Sequence, residues 1–277
     1  MHIDIMNIVW AVVVLGAIGA VFGIVLAITS KVFSVGADSR GENILNILPG
    51  VNCGGCGFTG CALYAEAVSR GDVPVDLCAP GGRKTAEEIA RLMGTDVPES
   101  DRMVAVVKCS GGTGALKRFE YDGIHDCRSA DLVGGGPLEC PSGCIGFGTC
   151  VEACPFDAIY LKDGRAVVDH EKCTGCLVCV EACPRKIITP FSYNKDVIIK
   201  CSSHERGAAV RRVCGAGCVG CSICKKECPS GAITIDGNLA AIDPEKCTDC
   251  GKCVSVCPRG LITHSRPQSG MNSGETM

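Results

Sequence analysis

The sequence predicts an α+β chain in which one apolar helix precedes small units stapled by cysteine, and three observations carry that expectation. From Ile8 to Ile28 no charged or strongly polar side chain occurs. The stretch 104–265 is a single unit written twice. Cysteine appears 24 times in 277 residues, half of them in one spacing that recurs three times. With one Trp and 36 glycines, the chain lacks the bulky side chains that a large apolar core would need. Staples other than packing must therefore hold it together.

The apolar run, 21 residues long, would rise as a helix by ~31 Å, close to the hydrocarbon thickness of a bilayer. A secretory signal has a basic start and a shorter apolar stretch, whereas Asp4 and His2 stand before this one. Residues 1–30 thus read as an uncleaved single-pass anchor. Lys31 and Arg40 follow it and no Lys or Arg precedes it, a bias that favours a cytoplasmic body. In a reducing compartment so many cysteines point to metal rather than to disulfides. Gly19 and Gly23 form a small-xxx-small pair, which suits a partner helix but is also ordinary in membrane helices. A net charge of −3 gives no sign of nucleic-acid binding.

Residues 31–100 form the next expected domain. A connector ends at Pro49-Gly50 and is followed by Cys53, Cys56, Cys61 and Cys78. A helix is expected over 59–70, stopped by Gly71. A capping box at Thr85 to Glu88 opens another through Met93. The polar run 95–101 reads as a linker.

Beyond it the repeat sets the organisation. Lys108-Cys109-Ser110 returns as Lys200-Cys201-Ser202, and Cys154-Pro155 returns as Cys228-Pro229. Hairpin turns are expected at Asp163-Gly164 and Asp236-Gly237. Two units follow, 101–192 and 193–265, and the polar stretch 266–277 reads as a disordered tail.

The spacing Cys-x2-Cys-x2-Cys-x3-Cys-Pro occurs at Cys173, Cys176, Cys179 and Cys183, at Cys218, Cys221, Cys224 and Cys228, and at Cys247, Cys250, Cys253 and Cys257. Three thiolates on one tight loop can grip three irons of a [4Fe–4S] cubane, and the fourth, carried off by the proline, ligates the neighbouring cluster. That exchange predicts duplicated two-cluster domains like those of bacterial ferredoxins. In the second unit it groups Cys218, Cys221, Cys224 and Cys257, and groups Cys247, Cys250, Cys253 and Cys228. In the first unit it groups Cys173, Cys176, Cys179 and Cys154. There the remaining motif is broken, because Phe147 stands where a ligand should be. Cys140 is the nearest substitute, giving Cys140, Cys144, Cys150 and Cys183.

The group Cys53, Cys56, Cys61 and Cys78 lacks the proline, so zinc competes for it. Its glycine-rich setting and the cluster motifs that follow favour a fifth [4Fe–4S] cluster. Cys109, Cys127, Cys201 and Cys214 remain, two from each half. Either they bind a sixth cluster bridging the halves, or they are small buried residues.

The Gly111-Gly112-Thr113-Gly114 loop lacks the third glycine and the βαβ setting of a dinucleotide site. Histidines show no metal spacing. Lys225-Lys226, Arg211-Arg212 and Arg185-Lys186 could dock an acidic redox partner, though solvated surface is the better reading of any single pair. No catalytic constellation stands out.

An apolar anchor, the run Leu48-Pro49-Gly50-Val51-Asn52-Cys53-Gly54-Gly55-Cys56-Gly57, and ferredoxin-like units behind it resemble the B subunit of Rnf-type ion-translocating complexes, in the longer multi-cluster form. The first iron–sulfur module alone is also similar to one in corrinoid-protein subunits of carbon monoxide/acetyl-CoA pathways. The Rnf resemblance implies a subunit of a redox-driven translocase, a ferredoxin:NAD+ oxidoreductase, that takes electrons from reduced ferredoxin. It would pass them to membrane and flavin- or NAD-binding subunits, with no complete active site on this chain. The alternatives are a polyferredoxin-like subunit of a membrane hydrogenase and a zinc-stapled interaction protein.

Overall fold

Short apolar strands and tight turns, rather than long helices, shape everything beyond the first 98 residues. The computed structural model of the chain describes residues 5–32, 39–98 and 101–265. The expected tail 266–277, parts of the connector (33–38) and of the linker (99–100), and residues 1–4 lie outside the described residues.

Helix α1, Ile5–Val32, contains one stretch, Val12–Ser30, long and apolar enough to cross a membrane. None of that stretch is buried within the protein. A Cβ added at Gly16, Gly19 or Gly23 would meet nothing within 4 Å. The apolar surface is therefore not satisfied by the chain's own described core.

Helices α2 (Ser39–Ile47), α3 (Cys61–Ser69) and α4 (Gly82–Met93) close a small core around Ile44, Tyr64, Val68 and Ile89. The Tyr64 hydroxyl donates to the Pro74 carbonyl at 3.0 Å and accepts from the Leu77 amide at 3.2 Å. It thereby pins the loop that leads to Cys78. Helix α4 begins three residues before the expected capping box. Gly81 is its N-cap without a side-chain bond, and Thr85 lies inside the helix, packed under Gly81. Gly94 ends it in the left-handed conformation that glycine supplies at low cost.

Two further units share one strand order. In the first, β1 (Met103–Val107) pairs antiparallel with β4 (Ile188–Ser192), and β2 (Ile159–Lys162) with β3 (Arg165–Val168). In the second, β5 (Val197–Ile199) pairs with β8 (Ile262–His264), and β6 (Ile233–Asp236) with β7 (Leu239–Ile242). The first hairpin turns at Asp163 and Gly164, both at positive φ. The second turns one residue later than expected. Asp236 pairs with Leu239, and Gly237 and Asn238 take the positive-φ positions, since Asn tolerates them better than Asp236 would gain by leaving the ladder. Short helices follow the cysteine loops: α6 (Thr149–Glu152), α7 (Val178–Ala182), α9 (Ile223–Lys226) and α10 (Lys252–Val256).

The units differ in what precedes their first cysteine loop. Unit one carries a long insertion with α5 (Cys127–Leu132), and unit two carries α8 (Gly207–Val213). The insertion joins the halves. Leu116 donates its amide to the Val213 carbonyl and accepts from the Glu139 amide, both at 2.8 Å. The Gly215 amide donates to Gly114 at 3.1 Å. A single extended segment thus lies between the chain carrying Cys214 and the chain carrying Cys140.

Candidate metal centres

All 24 cysteines are free thiols, and they gather in fours. Cys218, Cys221, Cys224 and Cys257 line one cavity of about 350 Å³, open solvent included. Cys228, Cys247, Cys250 and Cys253 line another of about 300 Å³. Cys53, Cys56, Cys61 and Cys78, with Tyr64 behind them, line a third of about 320 Å³. Cys154, Cys173, Cys176 and Cys179 crowd together as well. Burial first, then the thiols of Cys173, Cys176 and Cys154, push the Cys179 thiol up to about 12.

The two remaining groups differ from the sequence expectation by one exchange. Cys127, not Cys140, joins Cys144, Cys150 and Cys183 around a cavity of about 390 Å³. Cys140 joins Cys109, Cys201 and Cys214 around one of about 410 Å³ between the halves. Both halves of the exchange have local causes. Asp126 caps α5 by accepting from the Ser129 amide at 2.8 Å. Its other oxygen accepts from the Thr149 hydroxyl at 2.8 Å, and that hydroxyl accepts the Cys127 amide at 2.7 Å. This relay ties Cys127 to the Cys150 loop, so it takes the place that Phe147 leaves empty. Cys140 is drawn the other way by the Glu139–Leu116–Val213 backbone ladder.

Matching arginines brace the bridging group from both units. Arg259, just after Cys257-Pro258, donates to the Cys214 carbonyl at 2.6 Å and to Gly217 at 3.2 Å. Its repeat counterpart Arg185 donates to the carbonyls of Pro141 and Gly135. Gly111 lies close against this group, and a Cβ there would stand 3.2 Å from the Cys214 sulfur, so the sulfur would have to give slightly.

The six groups follow one another in space. Cys53 faces Cys176 electrostatically, and the Cys176 carbonyl passes so near Gly55 that a Cβ there would lie 2.6 Å from it. Cys150 feels Cys179. The Cys144 amide donates to the Cys109 sulfur at 3.4 Å, and by the repeat the Cys218 amide donates to the Cys201 sulfur at 3.3 Å. Cys253 feels Cys224.

The donors suit iron–sulfur clusters. Every group is all-thiol, rims a cavity or a crowded pocket, and receives backbone amides at its sulfurs, among them Ala105 to Cys173 at 3.4 Å. Among the described residues no three or more His, Cys, Asp or Glu converge on a point that would hold a single metal ion. Burial pushes the thiols of Cys144 and Cys253 up to about 11 and that of Cys150 up to about 12. Metal binding must then displace protons from them.

Residues 48–80 match the family described as "Putative Fe-S cluster". Residues 143–188 and 217–261 each match a family described as "4Fe-4S dicluster domain". The chain is 45% identical over 87% of its length to the B subunit of the proton-translocating ferredoxin:NAD(+) oxidoreductase complex of Clostridium ljungdahlii, covering 86% of that protein. It is 43% identical to the Na(+)-translocating counterpart of Acetobacterium woodii, over 84% of this chain and 71% of that one. It is 41% identical to the B subunit of the ion-translocating oxidoreductase complex of Methanosarcina acetivorans, over 86% and 90% respectively. Multiple [4Fe–4S] clusters are thus the cofactors of this chain.

Proposed function

Because the chain belongs to the B-subunit family of Rnf-type ion-translocating ferredoxin:NAD+ oxidoreductase complexes, we propose that it takes electrons from reduced ferredoxin and hands them to the membrane and flavin- or NAD-binding subunits of such a complex. It is an electron-transfer subunit of an oxidoreductase, and this membership sets aside the hydrogenase and zinc-scaffold alternatives. The observation that carries the proposal is the unbroken succession of six four-cysteine groups from Cys53 to Cys253.

Six [4Fe–4S] clusters supply reversible one-electron transfer, one for each group, with Cys109, Cys140, Cys201 and Cys214 holding the one between the repeats. Each repeat, 101–192 and 193–265, is a two-cluster domain, and 31–100 is a one-cluster domain. The Cys144 and Cys218 amides donate to thiolates of the middle group, and such bonds stabilise the added negative charge of a reduced site. The buried rims keep water away from half of the cysteines, while Cys221 and Cys250 stay exposed. Helix α1 crosses the membrane once, with everything after it on the cytoplasmic side, as Lys31 and Arg40 favour.

Inverted membrane vesicles from cells lacking this chain should lose ferredoxin-dependent NAD+ reduction and regain it with the wild-type chain. Undiminished activity without the chain would overturn the proposal.

A further inference from the structure

The repeat offers one face twice, and among the described residues only one copy is covered. In the first unit Cys176 is buried, and the Cys53–Gly55 loop of the preceding iron–sulfur segment lies against its backbone. Its counterpart in the second unit is Cys250, three residues after Cys247 as Cys176 is after Cys173. The surroundings correspond closely. Arg102 donates to the Cys173 carbonyl at 2.9 Å, and Lys195 donates to the Cys247 carbonyl at 3.0 Å. Yet Cys250 is exposed, as is Thr248, whereas Thr174 is half-buried.

We propose that the open face around Cys250 is the docking surface for a small, acidic iron–sulfur carrier protein, which sits where the Cys53–Gly55 loop sits on the first unit. The inference rests on the assignment of electron entry to a reduced ferredoxin and names where that protein binds.

The side chains that differ between the two copies fit a transient, charge-guided partner. Leu177 and Val178 beside Cys176 become Gly251 and Lys252 beside Cys250. Lys252 and Lys246 are well exposed, each in a surface ion pair, with Glu227 at 3.1 Å and with Asp243 at 3.0 Å, and Lys225 and Lys226 stand on α9, which packs against α10. Residues 193–265 carry 10 Lys and Arg against 7 Asp and Glu, while residues 31–192 carry 16 against 21. The last unit is therefore the one that attracts an acidic protein, and charges of this kind act chiefly on the rate of encounter.

The test uses the full chain in detergent, loaded anaerobically, with an acidic two-cluster [4Fe–4S] ferredoxin as probe and titanium(III) citrate as a small reductant. The double variant Lys246→Glu and Lys252→Glu should retain its iron and its reduction by titanium(III) citrate. Its second-order rate constant for reduction by reduced ferredoxin, followed in single turnover, should fall about tenfold at low salt. Carbodiimide cross-links in the wild type should map to Lys246, Lys252, Lys225 or Lys226. An unchanged rate constant, or cross-links confined to other segments, would overturn the docking surface. Wild-type chain reduced by titanium(III) citrate but never by ferredoxin would instead overturn the assignment of the electron donor on which the inference rests.

Discussion

Replacing Gly55 by alanine should separate the first cysteine group from its neighbour without touching a ligand. Gly55 is not held at positive φ, so alanine meets no strain in its own backbone. The obstacle is the backbone of Cys176: the new Cβ would lie 2.6 Å from its carbonyl oxygen, 3.1 Å from its Cα and 3.2 Å from its carbonyl carbon. Ordinary contact begins at 3.4 Å, so the two loops must part by about 0.8 Å, and both loops carry cysteines that fix them. Overpacking of this kind costs about 1–3 kcal/mol, enough to lower the docked-to-undocked ratio roughly 5- to 150-fold. The assay is electron paramagnetic resonance of the fully reduced chain. Spin–spin interaction between the cluster at Cys53, Cys56, Cys61 and Cys78 and that at Cys154, Cys173, Cys176 and Cys179 should weaken at unchanged iron content. Faster amide exchange over residues 174–178 should accompany it. A variant with full coupling and unaltered exchange would refute the claim that this backbone contact sets the approach of the two sites.

Other perturbations separate the sites one by one. Cys140→Ala should remove the bridging cluster and isolate the two repeats, leaving the other signals in place. Cys127→Ala should remove the cluster within the first repeat; iron analysis with spectroscopy distinguishes the two. Arg259→Ala strips the Cys214 and Gly217 carbonyls of a charged donor, a loss of about 1.5–3 kcal/mol per bond at most. Thermal unfolding should show the second repeat melting earlier and the bridging signal fading first. Bonds from the Ser129 amide and the Thr149 hydroxyl hold the Asp126 carboxyl below its ordinary range. A depressed carboxylate contributes fully above its unfolded value and loses that contribution as pH falls through its lowered one. The Cys127 cluster should thus survive mild acid in the wild type and fail at higher pH in Asp126→Ala, as followed by absorbance during acid titration.

Spacing made much of this architecture legible. Three intact motifs fix which cysteines share a loop, because that geometry is local, and the repeat exposes the common strand order. The Cys127–Cys140 exchange was not legible. Along the chain Cys140 is nearer to Cys144, but partners are chosen by the Asp126–Thr149 relay and by a backbone ladder between residues about 100 apart in sequence. The hint available was Asp126 before Cys127-Arg128-Ser129, a helix-capping residue that begins a turn at a cysteine. The start of α4 was missed because a glycine pair opened the helix in place of the Thr85 box. The approach of Gly55 to Cys176 leaves no sequence pattern at all, since it depends on how two separate units meet.

The most direct test of the six-site account is the iron, acid-labile sulfide and zinc content of the full chain, purified or reconstituted without oxygen. Six four-cysteine groups predict about 24 iron and about 24 sulfide per chain with no zinc. About 20 of each would contradict the bridging site at Cys109, Cys140, Cys201 and Cys214, and stoichiometric zinc would remove the Cys53 group from the electron path.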